Sequence, residues 1–375
     1  MRSGKLKDIL SIGGADIMGT AITSIFWFFI ASQISPNDYG ELFYVIGIAG
    51  TAAAFALIGT QNTISVYSSK SIQIESTLYF LSLLLGLAVS FVMMIIFYRV
   101  DIIFLLFGYI INTLAMGELL GKKSFSSYSK HTLIQKILTL GLGLLFFIIF
   151  GTDGIIFALS ISYVSFIIVL YNRFKKTKID FKLLKNRTSF IINNYVIEIL
   201  TKLNSNLNKL IIVPLLGFSA LGNFSLALQL VNVGLIFTVI VFKYTIPYDA
   251  QGEENKKLKK LMLLVSVGVA FLGATITPHI IPVFFPEYLE VIGVIQIISF
   301  CIIPITIAKI FTSKLLGQEN SRRILFSKVI SLITFVFVIV ILNPYYGIIG
   351  ISIGYLLSTI IETICLIPTS RVIKR

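Results

Sequence analysis

The chain has 375 residues, of which 56% are hydrophobic and only 13% charged, and its mean hydropathy is +0.94. Soluble domains carry about 25% charged residues, so a soluble enzyme, a disordered chain and a simple nucleic-acid-binding protein are excluded. The net charge of +14, from 31 Lys and Arg against 17 Asp and Glu, therefore bears on membrane sidedness and not on nucleic acid.

A spanning helix needs about 20 mostly apolar residues. Such stretches fall at 9–33, 41–66, 77–98, 102–121, 132–150 and 154–172. After a basic gap, six more follow at 189–213, 219–243, 261–278, 289–311, 324–342 and 347–367. The first is too long for a signal-peptide core, has no small-residue cleavage site and runs straight into a second span, so it reads as a retained helix. With both termini cytoplasmic, the inner loops hold Arg2, Lys5, Lys7, Lys70, Lys122, Lys123, Lys130, the basic run 173–187, Lys243, Lys256, Lys257, Lys259 and Lys260. They also hold Lys314, Arg322, Arg323, Lys328 and the tail Arg371, Lys374 and Arg375, while the outer loops hold only Arg99. The positive-inside rule gives this asymmetry for an even number of helices, and an odd number would scramble it. The expected fold is an all-α integral membrane protein of the plasma membrane with about twelve transmembrane helices.

The longest hydrophilic stretch, RFKKTKIDFKLLKNRTSF (173–190), falls near the midpoint. Its Ile179, Phe181, Leu183 and Leu184 could lay a short amphipathic helix on the membrane; a solvated linker is the equal alternative. The second long inner loop, DAQGEENKKLKK (249–260), reads as a mixed-charge surface helix or turn.

The two halves look alike. SPNDYGELFYVIGIAG (35–50) matches GFSALGNFSLALQLVN (217–232), pairing Gly40 with Gly222, and FGTDGIIFALSISY (150–163) matches NPYYGIIGISIGY (343–355) at a Gly-Ile-Ile helix start. Both copies run in the same direction across the membrane, so this is a parallel repeat, as in transporters whose substrate lies between the halves. The expected division is a six-helix lobe at 1–172, a cytoplasmic connector at 173–188 and a second six-helix lobe at 189–375. Cys301 and Cys365 lie inside apolar runs and His131 and His279 stand alone, so no disulfide framework, metal site or cofactor is read.

The segment LNSNLNKLIIVPLLGFSALGNFSLALQLVN (203–232) resembles the seventh-to-eighth helix junction of Wzx-type polysaccharide flippases. ISPNDYGELFY (34–44) is similar to that family's first outer loop, and PEYLEVIGVIQIISF (286–300) with KLLGQENSR (314–322) resembles its tenth helix and the inner loop after it. Asn208 stands where the family usually has an acidic residue before the lysine. The family belongs to the superfamily that also holds MATE drug exporters and peptidoglycan-precursor flippases. The resemblance implies a V-shaped transporter that moves an undecaprenyl- or dolichyl-linked oligosaccharide across the plasma membrane, with polysaccharide-assembly proteins as further partners.

A pyrophosphate-linked sugar needs a polar, cationic path with an apolar flank. Ionisable groups in hydrocarbon cost about 2.5–3.5 kcal/mol each, which makes each one a functional candidate. They are Asp16, Glu118, Lys136, Glu198, Lys202, Lys209, Lys309 and Glu362. Asp16, Glu118, Lys136, Lys309 and Glu362 lie within about two turns of an inner helix end, where snorkelling is cheap; they are candidates for coupling or gating, or for structural pairs such as Lys309–Glu362. Lys202 lies some 20 Å of helix from either end. Glu198 stands four residues before it and Lys209 seven after, on one face. Asn194, Asn204, Ser205, Asn206 and Asn208 surround them, so this helix reads as a cavity wall. Gln61, Asn62, Asn112, Gln229 and Asn232 could complete it, although buried amides also serve as plain interhelical partners.

Three functions compete: a lipid-linked oligosaccharide flippase, a cation- or proton-coupled drug antiporter of the same fold, and a membrane glycosyltransferase. Asp16 keeps the antiporter alive. The outer loops are too short to carry the acid/base and diphosphate-binding residues of a glycosyltransferase, so an enzyme is not expected.

Overall fold

A chain in hydrocarbon must satisfy its backbone hydrogen bonds internally, which restricts it to helices or closed barrels. The computed structural model describes residues 2–185, 187–250, 255–317 and 320–367, with side chains from Gly13 onward except at 243, 244, 246–248, 250, 317 and 321. Lys243 and the basic residues at 2–7 and 371–375 therefore fall outside the described side chains. Among the described residues there are helices and no strands. They are α1 (Arg2–Gln33), α2 (Pro36–Ala56), α3 (Gln61–Ser69), α4 (Glu75–Phe97), α5 (Val100–Gly121), α6 (Phe125–Phe150) and α7 (Thr152–Ser162). Then come α8 (Val164–Lys176), α9 (Thr188–Gly234), α10 (Ile236–Ala250), α11 (Lys256–Phe284), α12 (Val291–Ile298), α13 (Ile302–Gly317) and α14 (Ser321–Leu366).

Ten stretches are long and apolar enough to cross a membrane. Two of them are of double length: α9 is broken at Gly217 (φ 82°) and α14 at Gly347 (φ 52°). Counting each limb once gives the twelve helices expected from the sequence. These left-handed φ values are open to glycine at little cost.

The second expected span, 41–66, is really two elements. Helix α2 stops at Ala56, Gly59 donates its N–H to the Ser82 hydroxyl at 3.0 Å, and Thr60 caps α3 by accepting from the Thr63 N–H at 3.2 Å. Helix α3 then buries Ile64 and Tyr67 against α5, where a Cβ on Gly121 would lie 2.5 Å from the Ser65 carbonyl.

The connector is not an amphipathic helix. Residues 173–176 complete the last turn of α8, and the described residues after them form an extended strap with one 3-10 turn at Phe181–Leu184. Thr77 of α4 clamps it twice, donating to the Asp180 carbonyl at 3.2 Å and accepting from the Asp180 N–H at 2.9 Å. Leu183 and Leu184 pack on the adjacent core, while Ile179 and Phe181 stay 41% and 52% exposed. Arg187 lies 5.8 Å over the Tyr67 ring; burial raises the Tyr67 phenol and the guanidinium opposes that shift.

By contacts the chain divides into two compact units, one made of residues 1–26 and 44–210, the other of 27–43 and 211–375. The core of the first holds Ile64, Leu78, Tyr79, Leu106, Ile110, Leu114 and Phe166. In the second, α13 packs on α10, α11 and α14. Within this second unit the two glycines matched by sequence face each other. A Cβ on Gly40 would lie 1.8 Å from the Phe218 carbonyl oxygen, and one on Gly222 would lie 1.9 Å from that of Pro36. Each glycine thus meets the residue four before the other, the reciprocal pattern of a two-fold-related pair.

The second sequence match holds with a shift of register. Positive φ falls at Gly151 and Gly347. Three residues on, Gly154 and Gly350 crowd the carbonyls of Phe146 and Leu342, each eight residues earlier, where an added Cβ would come within 2.5 and 2.8 Å. Gly151 therefore corresponds to Gly347, three residues before the Gly154–Gly347 match drawn from the Gly-Ile-Ile string.

Candidate functional site

The first limb of α9, from Thr188 to the break at Gly217, carries the polar residues singled out by sequence. The Tyr195 hydroxyl ties it to α2 by donating to the Phe55 carbonyl at 2.6 Å. Further along, small residues of α2 admit the limb closely: a Cβ on Gly47 would lie 2.9 Å from Lys209 Cβ, and one on Gly50 would lie 3.2 Å from Asn206 Nδ2. Lys209 Nζ donates to Asn206 Oδ1 at 3.2 Å, and Asn206 and Asn208 are themselves buried. Lys209 is thus a positioned cation with its stem against α2.

Lys202 is held differently. Its Nζ stands 4.0 Å from Glu198 Oε1, one turn earlier, and its side chain is 41% exposed against 17% for Glu198. The exposed residues between 193 and 213 are Asn193, Val196, Thr201 and Ser205, so the open face around Lys202 is polar. The open face of α4 is Phe80, Leu84, Leu87, Phe91, Val92, Met94, Ile95 and Ile96, as contact with lipid requires.

Of the other sequence candidates, Gln229 is half-buried and Asn232 exposed, and both belong to the second unit. In the first unit, the Tyr128 hydroxyl donates to Asp16 Oδ1 at 3.4 Å, and Lys136 lies along Gly19, where a Cβ would be 3.1 Å from Lys136 Cγ. Glu362 is paired with Lys328 at 3.5 Å, and the Lys309 ammonium sits 4.7 Å over the Phe242 ring.

Glu118 is the centre of a buried network that the sequence did not disclose. Arg173 donates to its Oε1 from Nη2 at 2.6 Å and from Nε at 3.0 Å. Tyr79 donates to its Oε2 at 2.6 Å, and Lys122 pairs with it one turn on. Arg173 also stands 4.0 Å from Glu75, whose Oε1 accepts from Ser68 at 2.7 Å. The second unit has a smaller counterpart. Lys259 Nζ donates to both Asp249 oxygens at 2.7 and 2.9 Å, Ser313 donates to Oδ2 at 2.6 Å, and both charged side chains are over nine-tenths buried. The sequence places Asp249 and Lys259 on a mixed-charge surface helix or turn; the fold buries them because α10, α11 and α13 converge there. Residues 251–254 of that loop lie outside the described residues. No spacing rule marks a partner ten residues away across a turn.

Among the described residues, no three His, Cys, Asp or Glu side chains are grouped to hold a metal ion.

Ten stretches long and apolar enough to cross a membrane, two of them of double length, define a multi-pass membrane protein. No protein-family model matches the chain, and no curated protein matches it in sequence. Solved structures do match its fold. An inward-facing multidrug resistance MATE family transporter of the MOP superfamily superposes with a TM-score of 0.70 at 15% identity, over 93% of this chain and 92% of that one. The outward-facing form of a MATE family transporter gives 0.65 at 16% identity, over 96% and 93%. A MOP superfamily transporter from Pyrococcus furiosus, described as having a binding pocket of reversed polarity that suggests a different function, gives 0.64 at 14%, over 96% and 93%. At these identities the likeness establishes the fold: the chain has the fold of the MATE transporters.

Proposed function

We propose that the chain is a membrane transporter that flips a polyprenyl-(pyro)phosphate-linked oligosaccharide across the plasma membrane for surface glycan assembly. Both termini are cytoplasmic in this reading, and the six-helix lobes 1–172 and 189–375 alternate access. The headgroup is engaged by Lys202 and Lys209, with Glu198, Asn206, Gln229 and Asn232 as further polar contacts. The observation that carries this reading is the polar open face of α9 around Lys202, in a segment where lipid contact would demand apolar residues. An amide-held lysine and a loosely paired one, seven residues apart on one face, suit a ligand with about two negative charges. At 4 Å each charge contact is worth about 4 kcal/mol at an effective dielectric of 20, against about 1 kcal/mol in bulk water. The resemblance to Wzx-type flippases supports the same substrate class.

A cation- or proton-coupled antiporter is the second reading, favoured by the fold and by Asp16 with its Tyr128 and Lys136 neighbours. Proteoliposomes carrying a fluorescent lipid-linked oligosaccharide diphosphate separate the two. Lys202→Ala should reduce flipping at least tenfold while the protein stays inserted and monodisperse, and Lys202→Arg should keep part of the activity. Flipping by Lys202→Ala at the wild-type rate sinks the flippase reading. Export of a cationic dye that depends on Asp16 and ignores Lys202 establishes the antiporter.

A further inference from the structure

We propose that the last turn of α8 and the strap that follows it, residues 174–182, form a docking site for the phosphate headgroup of an anionic phospholipid, with Ile179, Phe181 and Phe80 meeting the adjoining acyl chains. Six consecutive residues, Phe174, Lys175, Lys176, Thr177, Lys178 and Ile179, line an open surface recess of about 370 Å³. The strap does not depend on a ligand to hold this shape. Thr177 donates to the Arg173 carbonyl at 3.2 Å, Thr77 pins Asp180 at its carbonyl and N–H, and Phe174 stacks edge-on against Tyr79 with centroids 6.0 Å apart.

The charges point to an anion. Lys175, Lys176, Lys178, Lys182 and Lys185 are all exposed, and none takes part in an ion pair among the described residues. The one carboxylate in the strap, Asp180, turns back to accept from the Lys182 N–H at 2.9 Å. Nearby, Arg173 and Lys122 are consumed by Glu118. The unit thus matches the cations its core requires and leaves a cluster of lysines to the outside.

The apolar neighbours select a lipid over a soluble anion. Phe181 stacks edge-on against Phe80 of α4 with centroids 6.2 Å apart, and both rings, like Ile179, are exposed. Phe80 begins the wholly apolar open face of α4, so the basic strap borders a helix face suited to lipid contact. Basic residues beside a span are attracted to an anionic leaflet; here they also frame a preformed hollow, which would give selectivity beyond bulk attraction.

The test is native mass spectrometry of the full-length protein in detergent, titrated with phosphatidylglycerol or phosphatidylcholine. At the contribution usual for a basic residue near an anionic surface, each lysine is worth about fivefold in affinity and three are worth on the order of a hundredfold. Replacing Lys175, Lys176 and Lys178 by Gln should therefore weaken phosphatidylglycerol binding on that order, leaving phosphatidylcholine binding and the melting temperature unchanged. Phe181→Ser should weaken phosphatidylglycerol binding several-fold with all charges intact. The control removes three equally exposed lysines elsewhere, Lys256, Lys257 and Lys260, and should leave binding as it was. Equal loss in that control means unselective surface charge and overturns the proposal. So does phosphatidylcholine binding equal to phosphatidylglycerol, or displacement of the lipid by millimolar inorganic phosphate.

Discussion

The open face of α4 and the open face of the first limb of α9 around Lys202 are both helical surfaces at membrane depth, and they differ in polarity. On α4 every large exposed residue from Phe80 to Ile96 is apolar. On α9 the exposed positions around the middle are Thr201 and Ser205, beside the half-open Lys202. A polar face in hydrocarbon costs several kcal/mol, and nothing in local helix formation requires it. The proposed function accounts for the difference by placing water, not lipid, against α9, as a transport path requires. A second contrast sharpens the first. Lys259 meets Asp249 at 2.7 Å with both side chains buried, whereas Lys202 stands 4.0 Å from Glu198. The tight, dry pair fastens α11 to α10. In the proposed function the looser, more exposed pair exchanges its partner for a ligand at little cost.

Breaking the dry pair should have the largest effect. Lys259→Met strands the Asp249 carboxylate with only the Ser313 hydroxyl, and an uncompensated buried charge costs about 3–5 kcal/mol. Lys202→Met should cost under about 1 kcal/mol, as for an exposed pair. Thermal unfolding in detergent would distinguish them; equal losses would mean that Lys202 is a structural ion-pair residue like Lys259.

Charge insertion on the two faces should give a smaller but opposite pair of results. Leu87 lies near the centre of α4 and is 59% exposed, so Leu87→Lys should impair insertion by about 3 kcal/mol. Ser205→Lys, on the polar face, should be nearly neutral. Quantified membrane insertion of the two variants decides this, and comparable impairment would put α9 against lipid.

The spans were legible because membrane thickness imposes a simple length of apolar sequence. The polarity of α9 was legible for the same reason, since Asn and Lys in such a stretch stand out. What the sequence did not show was how differently the two lysines are held. Depth along the helix favoured Lys202, yet Lys209 is the one whose stem is fixed, because Gly47 of α2 admits it and Gly50 admits its amide partner Asn206; a pair of glycines in an apolar helix carries no label saying which residues it receives. The repeat was readable at Gly40 and Gly222, where backbone contact demands glycine in both copies. It slipped by three residues at the last helix of each half, because Gly-Ile-Ile is common in apolar sequence while the positive φ at Gly151 and Gly347 leaves no trace in composition. The networks around Glu118 and Asp249 were hidden because their partners, Arg173 and Ser313, arrive from helices far away in the chain.

The central claim, that water reaches the middle of α9, is tested most directly by thiol accessibility. With Cys301→Ala and Cys365→Ala as background, Ser205→Cys and Leu87→Cys are each exposed in membranes to a charged, water-soluble thiosulfonate. The account expects rapid modification at position 205 and none at position 87, since only a thiol in contact with water ionises and reacts. A cysteine at 205 as inert as one at 87 would contradict it.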